Sequence, residues 1–299
     1  MNKGILYGLA AYGLWGLLPV YWKWLREVPA PELLSHRILW SCVALVLVLF
    51  AMRRWPAFRA AAFQPRVLQA YFFAAVLIGL NWLTYVWAVN AGHIVETSLG
   101  YFINPLLSVL MGVIFLRERL RAWQWVACGV AAAGVLYLTV AYGSLPWIAL
   151  TLASTFGVYG LVKKLAPLGS LEGLTLETAI LFLPALVYLL WVEGTGQAAF
   201  LHTGWLTDVL LIGAGLATTI PLLLFASGVQ RIPLSVIGLL QYIAPTLQFL
   251  LGVFLYGEPF PQERLIGFII VWAALLLFGA EGALHYRRQQ QALAPVAGD

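Results

Sequence analysis

Long, nearly unbroken apolar runs joined by short polar connectors make up most of this 299-residue chain. Read on a window of about 20 residues, the length of helix that crosses ~30 Å of hydrocarbon, the pattern predicts ten spans. They cover residues 4–22, 33–52, 68–90, 95–116, 122–140, 146–163, 173–192, 206–228, 234–256 and 262–284. Backbone polar groups in lipid must be satisfied within the segment, so continuous runs of this length are helices. Barrel strands would be about half as long and would alternate in polarity. The fold class is therefore an all-α membrane protein with ten transmembrane helices. Composition agrees: 62% of residues are hydrophobic and 10% charged, against roughly 45–50% and 25% in a soluble domain.

The apolar pattern repeats. Residues 95–120 (VETSLGYFINPLLSVLMGVIFLRERL) recur in register as 235–260 (SVIGLLQYIAPTLQFLLGVFLYGEPF), at an offset of 140. Pro105, Gly112 and Glu118 answer to Pro245, Gly252 and Glu258. Glu32 and Leu34 align with Glu172 and Leu174 at the same offset, and Trp15-Gly16 aligns with Phe156-Gly157 at 141, one loop residue being inserted. Five spans per copy is an odd number, so the second copy enters the membrane from the opposite side and the repeats are inverted. The expected units are 1–142 and 143–285, followed by a cytoplasmic disordered tail, 286–299, that is small and polar.

Charge sets the orientation. With the N-terminus in the cytoplasm, only Lys23, Arg26, Arg37 and Arg264 of the 17 Lys and Arg fall outside, and the other thirteen fall inside. Both termini are thus expected in the cytoplasm, in a cytoplasmic (inner) membrane. The first span has a lone Lys3 as its basic flank and no small-residue cleavage site, so it reads as a retained helix and not a signal peptide. The net charge of +5 is spread over short loops and forms no nucleic-acid footprint. Cys42 and Cys128 both lie in spans without ligand spacing and read as small packing residues.

The two-by-five layout, the aromatic-Gly pair in the first span of each half and the Pro, Gly, Glu pattern along the fourth resemble the EamA-type drug/metabolite transporter superfamily. The resemblance covers nearly the whole chain. Within it, YGLWGLLPVYWK, LLSHRILWS, NWLTYVWAVN, ETSLGYFINPL and LQYIAPTLQFLLGVFLYGE are similar to the RarD subgroup, the so-called chloramphenicol-sensitive proteins. This implies an inner-membrane permease for small molecules, with spans one, three, four, six, eight and nine as the walls of its cavity. The second half departs at Gly257 and Pro259, which replace Arg117 and Arg119.

An ionisable group inside a span costs several kcal/mol unless paired or hydrated, which makes each one a candidate. His36 and Arg37 lie about one turn into span two, Glu96 opens span four at the same face, and Glu177 lies about one turn into span seven from the other face. One reading has Arg37 clamping a substrate carboxylate while Glu96 or Glu177 exchanges protons or binds an amine. The other has these groups snorkelling, or Arg37 and Glu96 forming a structural ion pair. His36 is either a proton-coupling group or a hydrogen-bonded packing residue. The four histidines, 36, 93, 202 and 285, show no ligand spacing, so no metal and no cofactor is expected.

Midway along the spans lies an uncharged polar and aromatic belt: Tyr12, Trp15, Asn81, Trp82, Tyr85, Tyr101, Asn104, Ser154, Thr218, Thr219, Gln241 and Tyr242. At that depth such groups need partners, found across helix interfaces or in a water-accessible cavity between the repeats. In the cavity reading, aromatic faces take apolar or cationic parts of a solute, and Asn81, Asn104 and Gln241 orient it. Trp22, Trp24, Trp55 and Trp123 read as interfacial anchors. Pro105 and Pro245 interrupt spans four and nine, either as fixed bends or as gating hinges, and Pro221 interrupts span eight. Gly112 and Gly252 are expected to allow close helix approach, and Glu118 and Glu258 to lock loops structurally.

The sequence thus points to a secondary transporter of small, amino-acid-like or amphipathic solutes, monomeric or homodimeric, working by alternating access. No GxxxxGK[ST] stretch accompanies it. A membrane sensor or scaffold and an integral-membrane lipid enzyme are the alternatives. The first would be expected to carry an extramembrane domain, and the second a cluster of His, Asp or Ser.

Overall fold

In the computed structural model, residues 2–91, 93–143, 145–257 and 262–293 are described. Their helices are α1 (Lys3–Trp24), α2 (Ala30–Ala51), α3 (Trp55–Ala62), α4 (Pro65–Asn90), α5 (Ile94–Phe115), α6 (Ala122–Tyr142), α7 (Trp147–Leu165), α8 (Ser170–Gly194), α9 (Trp205–Val229), α10 (Leu234–Leu240), α11 (Ile243–Leu250) and α12 (Gln262–Leu293). Ten stretches among the described residues are long and apolar enough to cross a membrane, with α10, α11 and a π-helical turn at Leu251–Leu255 together forming the ninth. The protein is a multi-pass, all-α membrane protein.

Local sequence explains where the helices start and stop. The Asn2 side chain accepts a hydrogen bond from the Gly4 amide at 2.9 Å and so caps α1. Proline in the first turn opens α2, α3 and α4, where its missing N–H would have no helical partner anyway. Gly143 ends α6 in the left-handed conformation, with φ of 80°.

Helix packing pairs equivalent elements of the two halves. Contacts between α1 and α9 are answered by those between α7 and α4; α2 with α9 is answered by α8 with α4; and α5 with α7 is answered by α11 with α1. The remaining major contacts, α2 with α8, α5 with α10 and α6 with α12, each join an element to its own counterpart. Small residues allow the closest approaches, as between helices in lipid. A Cβ on Gly215 of α9 would lie 2.5 Å from the carbonyl carbon of Trp40 in α2, and a Cβ on Gly238 of α10 would lie 2.7 Å from the Pro105 carbonyl oxygen in α5.

Three features differ from the expected spans. The ninth is not one helix: α10 ends at Leu240 and α11 starts at Ile243, just ahead of Pro245, whose ring takes away the backbone bond that would tie it to Gln241. The short helix α3 sits between the second and third spans and buries Phe58 and Ala62 against Leu49, Tyr71 and Leu176. Finally, α12 continues past Arg288 to Leu293, into the stretch expected to be a disordered tail; residues 294–299 lie outside the described residues.

Candidate functional site

The breaks and close approaches leave a cavity of about 340 Å³ in the middle of the bundle, between α1, α2, α4, α5, α7, α9, α10 and α11. Each helix presents one face to it. Tyr12, Trp15, Pro19 and Trp22 line it from α1; Ala30, Leu33, Leu34 and Arg37 from α2; Thr97, Gly100, Tyr101 and Asn104 from α5; and Gln241, Ala244, Pro245 and Gln248 from the α10–α11 segment. These positions follow the i, i+3, i+4, i+7 spacing of a single helix face. The cavity reaches toward the end of the bundle where α1 finishes and α2 begins. At its opposite end Tyr12, Trp15 and Phe156 pack on Phe225, with ring centroids 6.1, 5.6 and 5.3 Å away, and Tyr159 stacks on Phe225 behind them.

Arg37 is the one charged side chain among the lining residues. Its Nε donates to Thr218 Oγ1 at 2.9 Å, and its guanidinium lies over the rings of Trp22 (4.8 Å to the centroid) and Trp82 (5.3 Å). No described carboxylate comes within salt-bridge distance of it. Thr218 and the two indoles thus aim the guanidinium while leaving its terminal Nη groups without a protein hydrogen bond among the described residues. A cation held this way beside aromatic faces is suited to a planar anion.

The other polar walls divide into satisfied and unsatisfied groups. Asn81 is anchored, donating through Nδ2 to the Leu152 carbonyl (2.8 Å) and to Thr155 Oγ1 (2.9 Å), and Gln248 donates to the Trp15 carbonyl at 3.3 Å. Tyr12 Oη, Asn104 Oδ1 and Gln241 Oε1 are buried without a partner among the described residues.

Of the residues singled out from sequence, Tyr12, Trp15, Arg37, Asn81, Tyr85, Tyr101, Asn104, Thr218, Gln241 and Pro245 meet at this cavity. Tyr242 does not: next to Gln241 in the break between α10 and α11 it faces the other way, and its hydroxyl donates to the Phe102 carbonyl at 3.1 Å. Pro105 lies inside an unbroken α5 and off the cavity lining. Glu96 is also outside the lining and accepts from the Ile148 amide at 2.7 Å, at the N-terminus of α7. Glu177 belongs to a buried cluster in which Lys163 Nζ donates to Oε1 (2.8 Å) and Tyr159 Oη to Oε2 (2.9 Å). His36, adjacent to Arg37 in sequence, turns away to Phe200, 4.9 Å between ring centroids, and its Nε2 stands 3.9 Å from Glu32 Oε1.

Some members were not expected. Trp22, read as an interfacial anchor, lines the cavity beside Arg37, and α2 contributes a wall. Phe156 lines it as well, 6.0 Å in ring centroid from Trp15, its repeat counterpart. Thr97 and Gln248 could have been found by extending the helical spacing from Tyr101 and Gln241. Ser154 faces outward, and Thr155 takes the inward position. Lys163, counted with the loop cations, is fully buried on Glu177.

The expected loop lock at Glu118 is present in specific form. Its carboxylate accepts from the Leu234 amide (2.6 Å) and the Ser235 amide (2.9 Å), first-turn N–H groups that have no acceptor within α10. Gly112 makes the room, because a Cβ there would lie 2.6 Å from Glu118 Oε2. Arg121, at the start of α6, forms a two-pronged pair with Glu281 of α12. Glu258 lies outside the described residues.

Comparison with known proteins agrees with this architecture. The sequence profile of the EamA-like transporter family matches residues 2–140 and again residues 145–280. The chain is 48% identical to Protein RarD of Streptomyces exfoliatus, over 99% of this chain and 94% of that one. It is 41% identical to Protein RarD of Escherichia coli K12, over 96% and 97%, and 33% identical to the Chloramphenicol-sensitive protein RarD of Pseudomonas aeruginosa, over 96% and 97%. A solved crystal structure shares the fold with a TM-score of 0.69 at 20% identity, over 92% of this chain and 97% of its own. Matched by the family profile along both halves and by these relatives over nearly its full length, the chain belongs to the EamA-like transporter family.

Proposed function

We propose that the protein is a secondary transporter of the cytoplasmic membrane that carries small amphipathic solutes by alternating access between two inverted five-helix units, with both termini in the cytoplasm. The observation that carries this reading is the cavity itself: an aromatic chamber with polar side chains and one cation, walled by facing elements of both halves. Inverted symmetry is supported by counterparts that touch, Trp15 with Phe156 and Phe102 with Tyr242. It is supported too by Arg117 and Gly257, 140 apart, which share a left-handed backbone with φ of 54° and 62°.

In this reading the structure is the state whose cavity faces the end where α1 finishes, which the distribution of Lys and Arg makes periplasmic. The other end is held shut by the aromatic floor, by Glu118 on α10, by the Arg54–Glu172 pair at 2.7 Å and by Lys164 Nζ donating to the Ile232 carbonyl at 2.6 Å. Transport to the cytoplasm requires these contacts to part. Counterflow of radiolabelled metabolite pools in proteoliposomes tests the reading. Saturable exchange that Gln241→Ala or Asn104→Ala weakens supports it, and the absence of exchange by folded protein across a broad pool contradicts it.

A further inference from the structure

We infer that the solute is an organic monoanion, a monocarboxylate or a group of like charge and shape without an ammonium, and that Arg37 is the residue that selects it. This rests on the cavity being the solute site and narrows the proposed substrates to exclude zwitterionic amino acids and amines.

Three observations carry it. First, Arg37 contributes a positive charge that no described lining residue balances, and its Nη groups make no hydrogen bond among the described residues while Nε is spent on Thr218. In a chamber walled by hydrocarbon and aromatic carbon, that charge is poorly screened and attracts an anion strongly. A carboxylate meets the Nη groups with charge-assisted bonds. Second, the acidic residues that would neutralise an ammonium are committed elsewhere. Glu96 accepts from the Ile148 amide, Glu177 from Lys163 and Tyr159, and Glu32 Oε1 from the Ala199 and Phe200 amides at 2.8 and 3.3 Å. None of the three is among the cavity-lining residues. Third, two of the aromatic faces lining the cavity, Trp22 and Trp82, already lie against the guanidinium, so an incoming ammonium would meet like charge there.

What remains describes the rest of the solute. The rest of the polar lining is uncharged, from Asn81, Tyr85, Tyr101 and Gln248, and suits neutral O–H or N–H groups. Leu34, Leu222, Trp15 and Phe156 supply apolar contact. A volume of about 340 Å³ lies at the small end of the ~300–1,000 Å³ spanned by ligand pockets, which admits a single-ring or short-chain body.

The test uses solute sets that share one apolar body and differ in charge. Each contains a monocarboxylate such as 3-phenylpropionate or 3-phenyllactate, the matching amino acid, the matching amine and the matching primary amide. Binding is read by ligand-dependent thermal stabilisation of the detergent-solubilised wild type, Arg37→Gln and Arg37→Lys, and flux by uptake into proteoliposomes. We expect the monocarboxylates to bind at least about tenfold more tightly than the amino acids, amines and amides, Arg37→Gln to erase that preference, and Arg37→Lys to keep part of it. A preference for the amino acid or amine, an anion preference that survives Arg37→Gln, or no binding by any member to folded protein overturns the inference. The two proposals fail separately: flux of an amino acid or amine leaves the carrier standing and removes the anion class. Tight, Arg37-dependent anion binding without flux in any set does the reverse.

Discussion

The Tyr242 hydroxyl donates to the Phe102 carbonyl at 3.1 Å, and these two residues are separated by the same 140 positions that separate the two copies of the repeated segment. Residues equivalent by repeat are therefore in direct contact. Trp15 and Phe156 meet in the same way at the floor of the cavity. Matched positions thus meet both at the floor of the cavity and in the packed cluster beside it.

Tyr242 faces a packed cluster with Phe102, Val109 and Leu239, away from the cavity, so its hydroxyl serves stability and not solute contact. Tyr242→Phe is expected to lower unfolding free energy by about 1 kcal/mol, the net worth of a typical internal hydrogen bond, with solute affinity unchanged. Denaturation in detergent beside a binding assay checks this.

Gly112 and Glu118 act as one device, the glycine making room for the carboxylate that caps α10. Glu118→Ala removes the cap, and Gly112→Ala pushes it aside from 2.6 Å. Each is expected to cost about 1–2 kcal/mol. Each is also expected to raise alkylation of a cysteine placed near Leu234, because the closed end is loosened. Equal labelling of wild type and variants would separate the cap from closure.

The Lys163–Glu177 pair is fully buried, with Tyr159 as a third member. Removing one partner strands the other, so Lys163→Met or Glu177→Leu alone is expected to cost ~3–5 kcal/mol. The double variant is expected to recover most of that loss, since two apolar side chains no longer need pairing. A double-mutant cycle on thermal or denaturant unfolding reads the coupling.

The spans, the fold class and most of the cavity walls were legible because period and polarity carry them. A polar or aromatic residue in mid-span is conspicuous in an apolar helix, and Tyr101, Asn104, Gln241 and Arg37 stood out on that ground. Side-chain direction was harder to read. Gln241 and Tyr242 are neighbours in sequence, yet in the break between α10 and α11 one faces the cavity and the other the packed core. Trp22 looked like an interfacial anchor because its distance from the end of the span was legible and its facing was not. The roles of Glu96, Glu177 and Lys163 depended on partners 52 and 14 residues away, at Ile148 and between Lys163 and Glu177, which no local pattern reveals. The break at Gln241 was foreshadowed by Pro245, but Pro105 at the matched position leaves α5 whole, so proline alone does not decide a break.

The central claim is that one cavity is reached from both sides of the membrane in turn. The direct measurement places a single cysteine at Tyr101 in a chain with Cys42 and Cys128 replaced by alanine, and reacts it with an impermeant maleimide in right-side-out and in inside-out vesicles. The account predicts labelling from both faces, with Glu118→Ala raising the rate from the cytoplasmic face and lowering it from the other. Labelling from one face only, unaltered by Glu118→Ala, would contradict it.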